Sequence, residues 1–184
     1  MTSQSRSAAS RLTSPSGSLT TPTPSSPITV KLLYCEAILG HTFTDKTILL
    51  EALQMDGGLG LVPYNDICFQ IPKNKRLAIV GDATLDHVLS LEWWKSGRDE
   101  GSWTSLRSTL TSNSALETRG KSLGLHNCIL MNPGTLYVSM EMMARTMEAL
   151  IGAVRCDGGD VAAERAMRKC GFMEEMGRGG KARM

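Results

Sequence analysis

The chain has 184 residues, with 20 Lys and Arg against 18 Asp and Glu and 41% hydrophobic residues, a size and balance that suit one domain with an ordinary core. No apolar run reaches the roughly 18–20 residues that cross a bilayer, so a membrane partner is not expected. Five cysteines without a CxxC pair and three isolated histidines argue against zinc and against a secreted disulfide scaffold, and fit a reducing, intracellular setting.

Residues 1–28 contain "SPSGSLTTPTPSSP", a composition that cannot bury a core and reads as disordered. This opening is Ser-rich, Arg-bearing and acid-free, as organelle transit peptides are, but has no long amphipathic Arg-repeating stripe. A mitochondrial address therefore stands beside a cytoplasmic or nuclear one. Arg6, Arg11 and Lys31 are the only charges in residues 1–35, and Arg178, Lys181 and Arg183 the only ones in the last eight. The 14 Lys and Arg between them meet all 18 acids, so the central part carries −4 between two basic ends. The domain is read over residues 29–173, with a basic, flexible tail over 174–184.

Within the domain the pattern is almost wholly helical. Val30–Leu39 places Val30, Leu33, Ala37 and Ile38 on one side, with Gly40 as the stop. Thr44 or Asp45 caps "DKTILLEALQM". "DGGLGLVPYNDICFQIP" reads as a loop. A long helix runs from about Lys75 to Trp94 and breaks at Gly97-Arg98. Two shorter helices follow, bent near Ser112-Asn113, then a turn at "MNPGT". Ser139 caps a helix whose stripe of Met140, Met143, Met147, Leu150 and Val154 is read as core. Gly158-Gly159 ends it, and Asp160 caps the last helix, "VAAERAMRKC". Trp93 and Trp94 are read as packing residues. There is no internal repeat, phosphate-binding loop or HExxH pair.

Four ordered blocks resemble the ribonuclease III domain family. "ILGHTFTDKTILLEALQ" resembles its opening. "NKRLAIVGD" resembles the signature N-E-R-L-E-F-L-G-D, matching at Asn74, Arg76, Leu77, Gly81 and Asp82. "DEGSWTSLRSTLTSNSAL" and "MMARTMEALIGAVRCDGG" resemble its two later blocks. The resemblance implies an all-α, dimer-forming endonuclease fold, and an activity on double-stranded RNA that leaves 5′-phosphomonoesters. It also implies divalent magnesium held by carboxylates. The family's five acidic positions fall here on Lys75, Ala78, Asp82, Arg145 and Glu148, so only Asp82 and Glu148 are retained.

Positions 75, 78 and 82 share one helix face, as do 145 and 148. The family pattern would aim five carboxylates at one point, a crowding that only a cation relieves. Here Lys75, Asp82, Arg145 and Glu148 sum to zero. One charge pair at about 4 Å is worth roughly 4 kcal/mol at an effective dielectric near 20, before desolvation is counted. Lys75 and Arg145 are therefore expected to take the metal's place and pair with Asp82 and Glu148. Against this stands a surface pair of Arg145 with Glu141. Asp86, one turn after Asp82, is either a substitute ligand or a solvated acid, the latter favoured. His87 is read as an ordinary histidine rather than a base. Ile79 stands where the family has a large apolar residue entering a socket on its partner, so it marks either a dimer seam or the chain's own core.

No catalytic residue, metal site or cofactor is expected; Mg2+ or Mn2+ on Asp82 and Glu148 belongs to the enzyme alternative. The leading functional expectation is a noncatalytic RNA-associated or assembly component. It is similar in style to ribonuclease III-like proteins of the mitochondrial large ribosomal subunit. The alternatives are a double-stranded RNA endonuclease with a reduced ligand set, and a pseudo-subunit of an active ribonuclease III partner. The expected partners are a second copy of the chain, double-stranded or ribosomal RNA, and a ribosomal or active ribonuclease III protein.

Overall fold

The computed structural model describes residues 26–55, 57 and 60–174. The expectations for most of the Ser/Thr/Pro-rich opening and of the basic tail, including the transit-peptide reading, lie outside the described residues. Helix α1 spans Pro27–Leu39, with Pro27 at its first position and the Ser26 hydroxyl accepting from the Thr29 amide at 3.2 Å. Gly40 ends it with φ 64°. The buried stripe is Leu32, Cys35, Glu36 and Leu39, while Val30 and Leu33 are more than half exposed. The expected stripe is thus corrected. The helix is apolar on two sides, and packing against its neighbours, not periodicity, selects the buried one.

Asp45 caps α2 (Lys46–Leu53) by accepting from the Thr47 amide at 2.8 Å. The corner between α1 and α2 is held by two carboxylates. Glu36 accepts from the Phe43 amide at 2.7 Å and from Lys46. Asp157, arriving from the far end of the chain, accepts from the Thr44 and Asp45 amides at 3.0 and 3.2 Å and meets His41 Nε2 at 2.7 Å.

The segment expected to be a loop forms an antiparallel hairpin, β1 (Leu61–Tyr64) with β2 (Ile67–Gln70), in register Leu61↔Gln70 through Tyr64↔Ile67. Asn65 and Asp66 have φ 50° and 61°, the two left-handed residues of a type I′ turn. Asn and Asp tolerate that region better than other side chains, and Pro63 is admissible because a two-stranded ribbon has only edges. The fold remains dominated by six helices.

Helix α3 covers Lys75–Lys95, α4 Glu100–Thr111 and α5 Asn113–Ser122, and a single 3-10 turn at Leu125–Asn127 leads to α6, Met140–Lys169. Ser139 caps α6 by accepting from the Met142 amide at 3.2 Å. Gly159 (φ 77°, ψ −171°) divides α6 into two helical halves, at the expected break. Helix α6 is the central element and touches α1, α2, α3 and α5. Met143, Met147, Leu150 and Val154 are fully or almost fully buried on it, each worth roughly 1.5–3 kcal/mol of transfer from water. Met140, expected in the same stripe, is 46% exposed because it sits at the helix's outer end. Trp93 packs on Trp103 with ring centroids 5.8 Å apart, whereas Trp94 is 73% exposed. Successive residues on a helix lie about 100° apart, so only one of the two can face inward.

Helices α3 and α6 meet through glycine. A Cβ on Gly81 would lie 1.8 Å from the Glu148 carbonyl oxygen, and one on Gly152 would lie 2.1 Å from that of Leu77. Backbone meets backbone here with no room for a side chain. This contact sets the spacing of everything that α3 and α6 present beside it.

Candidate functional site

Asn74 positions the start of α3. It is fully buried; its backbone N–H donates to the Gln54 carbonyl at 3.1 Å and its Nδ2 to the Ala52 carbonyl at 3.1 Å. Nδ2 also approaches the Thr146 hydroxyl of α6 at 3.5 Å. The first turn of α3 is thereby fixed to both α2 and α6. The next turns project Lys75, Ala78 and Asp82 along one face, opposite Arg145 and Glu148 on α6.

All five positions line one open cavity of about 590 Å³, together with Ile79, Arg107, Thr111 and Asn113. The structure therefore brings together every residue that the sequence pattern singles out. It does not pair them as expected. Arg145 Nη2 donates to Glu141 at 2.9 Å, one turn back on its own helix, and not to Glu148. That is the i,i+4 geometry a helix offers without any tertiary adjustment. Lys75 is exposed and has no ion pair among the described residues. The cation nearest to Asp82 is Arg107 of α4, with Nη2 4.0 Å from Oδ1.

Arg107 is held by Asp86 in a two-pronged pair, Nε to Oδ1 at 2.6 Å and Nη2 to Oδ2 at 2.8 Å. This pair holds the guanidinium firmly charged, Asp82 adding to it. Asp86, partly exposed and outside the cavity lining, is the clamp on Arg107. Sequence reasoning passed over Arg107, Thr111 and Asn113. The available signal was the block "DEGSWTSLRSTLTSN", in which 107 and 111 share a helix face.

Glu148 is half-buried and has no hydrogen bond or ion pair among the described residues. Burial first, then the Asp82 charge, pushes its carboxyl up to about 7, against a smaller opposing pull from Arg145. Magnesium takes about six oxygens in near-octahedral geometry. Lys and Arg offer no acceptor, which leaves Asp82 and Glu148 as the two carboxyls at the five positions. Among the described residues no three His, Cys, Asp or Glu side chains gather at one point. The five positions thus offer two carboxyls where the family pattern has five.

Ile79 is 72% exposed, which corrects the reading that places it in the chain's own core. It borders both the cavity and a neighbouring groove of about 820 Å³ lined by Val80, Ala83, Thr84, His87, Arg155, Cys156 and Asp160. His87 is exposed on that groove and does not line the cavity.

Residues 66–174 match the family model described as Ribonuclease-III-like. Among relatives, the chain is 28% identical over 157 residues to Ribonuclease 3 of Symbiobacterium thermophilum, covering 82% of this chain and 64% of that protein. It is 31% identical over 142 residues to Ribonuclease 3 of Leifsonia xyli subsp. xyli, covering 70% and 60%. It is 33% identical over 130 residues to that of Syntrophotalea carbinolica, covering 67% and 54%. The chain thus spans less than two thirds of the length of each of these relatives. The nuclease domain of ribonuclease III from Campylobacter jejuni, solved with attention to a flexible region involved in its dimer formation, superposes with a TM-score of 0.63 at 25% identity. That match covers 77% of this chain and 95% of that one. Sequence blocks, helical architecture and the convergence of the five signature positions agree with these matches, and the chain belongs to the ribonuclease-III-like family.

Proposed function

We propose that this chain is a noncatalytic member of the ribonuclease III family that serves as an RNA-associated or assembly component. The observation that carries this reading is the donor set of the cavity. Lys75, Ala78 and Arg145 stand at three of the five acidic positions, so two cations and a methyl group replace three carboxylates. The hydrolytic chemistry of the family needs a metal-activated water, and this cavity is short of the oxygen ligands that would hold the metal. A place in a mitochondrial ribosome is one setting that suits a ribonuclease III fold with basic ends.

The exposed Ile79, beside a groove with apolar and polar walls, supports pairing with a second ribonuclease III-like domain. That domain is either another copy of this chain or an active relative. Pull-down of an active ribonuclease III would favour the latter.

The test is cleavage of long double-stranded RNA with Mg2+ and with Mn2+, using the wild type and a Lys75→Glu/Ala78→Glu/Arg145→Asp variant. Activity appearing only in the variant supports the proposal. Equal activity in both ends it and restores the endonuclease reading with a reduced ligand set.

A further inference from the structure

Two cysteines far apart in the sequence meet inside the fold. Cys35 lies on the buried side of α1, and Cys128 ends the 3-10 turn at Leu125–Asn127. Both are almost fully buried, and their thiols are hydrogen-bonded to each other. The elements that carry them are fixed at several points. The Tyr34 hydroxyl of α1 donates to the Leu123 carbonyl at 3.1 Å. The Lys31 ammonium, one turn before Cys35, donates to the carbonyl of Ile129, next to Cys128, at 3.4 Å. The Leu130 amide donates to the Leu53 carbonyl at 2.9 Å. The two thiols thus face each other between elements that are held together around them.

The two sulfurs are not equivalent. The hydrogen bond to Cys128, and then burial, push the Cys35 thiol far up, so it keeps its proton. The same hydrogen bond, and then the Lys31 charge, draw the Cys128 thiol down in spite of burial. At Cys170 burial wins instead, and the thiol is pushed up to about 11 against the pull of Arg119 and Lys169. A thiolate is the nucleophile of sulfur chemistry, and an adjacent thiol converts its oxidised form into a disulfide. Lys31 and Ile129 also line an open groove of about 430 Å³, so solvent comes to the residues that flank the pair. An oxidant little larger than water suits this approach.

We propose that Cys35 and Cys128 form a reversible oxidation site, in which a peroxide oxidises Cys128 and Cys35 closes a disulfide joining α1 to the segment before α6. The Cys128 thiolate attacks one peroxide oxygen. The S–O bond forms as the O–O bond breaks, and the hydroxide released takes up the thiol's proton and leaves as water. The Cys35 sulfur then attacks the Cys128 sulfur. The S–S bond forms as the S–O bond breaks, and the hydroxyl leaves with the Cys35 proton as a second water. Two electrons pass from the two sulfurs to the peroxide, and a dithiol reductant reverses the change. In a reducing compartment the dithiol is the resting form, and the bond forms only under oxidant. The inference is independent of whether the cavity between α3 and α6 cleaves RNA.

The experiment treats the folded full chain with graded hydrogen peroxide, blocks the remaining thiols with iodoacetamide in denaturant and maps the peptides by mass. The expected product is a linked Cys35–Cys128 peptide, about 2 Da lighter than its two parts and lost on treatment with dithiothreitol. It is expected equally in a Cys68→Ser/Cys156→Ser variant, which removes the two exposed thiols. Cys35→Ser is expected to leave Cys128 as a sulfenic acid that dimedone traps, and Cys128→Ser to leave Cys35 unoxidised. Lys31→Met is expected to slow disulfide formation at pH 7 by about threefold or more and to move its pH–rate profile to higher pH. The oxidised chain is expected to melt about 5 °C or more above the reduced one, since the bond closes a long loop. Cys35 and Cys128 both recovered as blocked thiols from the folded wild type, while Cys68 and Cys156 oxidise, overturns the inference. A disulfide that forms only in denaturant does the same. The wild-type map decides even where a cysteine variant fails to fold. An oxidised form that melts no higher than the reduced one overturns the claim that the fold already holds the thiols in place for the bond. A sulfenic acid trapped on Cys35 and never on Cys128 overturns the assignment of Cys128 as the attacking thiol.

Discussion

The corner between α1 and α2 and the cavity between α3 and α6 each hold two carboxyls, and they treat them in opposite ways. At the corner, the side chains of Glu36 and Asp157 are only 8% and 4% exposed, and both are engaged, Glu36 by the Phe43 amide and Lys46, Asp157 by two amides and the His41 ring. Burial works against the Asp157 charge, but the Thr44 and Asp45 amides and the His41 ring outweigh it and hold the carboxyl below its ordinary range. In the cavity, Asp82 is exposed and meets a cation only at 4.0 Å, and Glu148 has no partner while burial works against its charge unopposed by hydrogen bonds. The corner acids are structural, because the fold supplies every donor they need. The cavity acids occupy positions set by a glycine-to-glycine helix contact, and for Glu148 the pull of Arg145 does not offset burial and the Asp82 charge.

The contrast is open to test, beginning with the corner. Asp157→Ala strands two backbone amides and His41, and is expected to cost about 2–4 kcal/mol in thermal or denaturant unfolding. A cost near zero would erase the distinction between the two regions. The folded carboxyl of Asp157 lies below its unfolded value. Its contribution is therefore full above the unfolded value and is lost as pH falls through the folded one. Asp157→Asn should flatten that acid limb of the stability profile.

Glu148 has the opposite sign. Its folded carboxyl lies near 7, above its unfolded value, so stability is intact below the unfolded value and declines as pH rises through about 7. Glu148→Gln is expected to raise the melting temperature at pH 8 and to leave it little changed at pH 5. A variant less stable than the wild type at pH 8 would mean that Glu148 has a stabilising partner. Breaking the Arg107–Asp86 pair is expected to cost only about 0.5–1 kcal/mol by double-mutant cycle, since both side chains are a third or more exposed. Lys75→Ala and Arg145→Ala are expected to stay within about 0.5 kcal/mol of the wild type, as surface substitutions do.

The parts legible in the sequence were those governed by local chemistry. Gly40, Asp45, Ser139 and Gly159 mark helix ends or breaks because capping and left-handed backbone are decided within a few residues. The five signature positions converge because helical spacing fixes the face each occupies. What the sequence withheld was decided by distant contacts or by close competition. The buried side of α1 was set by its neighbours, since both of its sides are apolar. The hairpin's turn is Asn-Asp rather than the stronger Asn-Gly signal. The partner of Arg145 was decided between a local acid and a tertiary one, and the local acid at i−4 won. Arg107, which reaches the cavity from a third helix, had no spacing that linked it to Asp82 or Asp86.

The most direct test of the central claim is the affinity of the purified chain for Mn2+ at the cavity, followed by paramagnetic resonance and located by anomalous scattering from soaked crystals. The account predicts no binding in the micromolar range and no ion between Asp82 and Glu148. An ion seated there, held by both carboxylates, would contradict it.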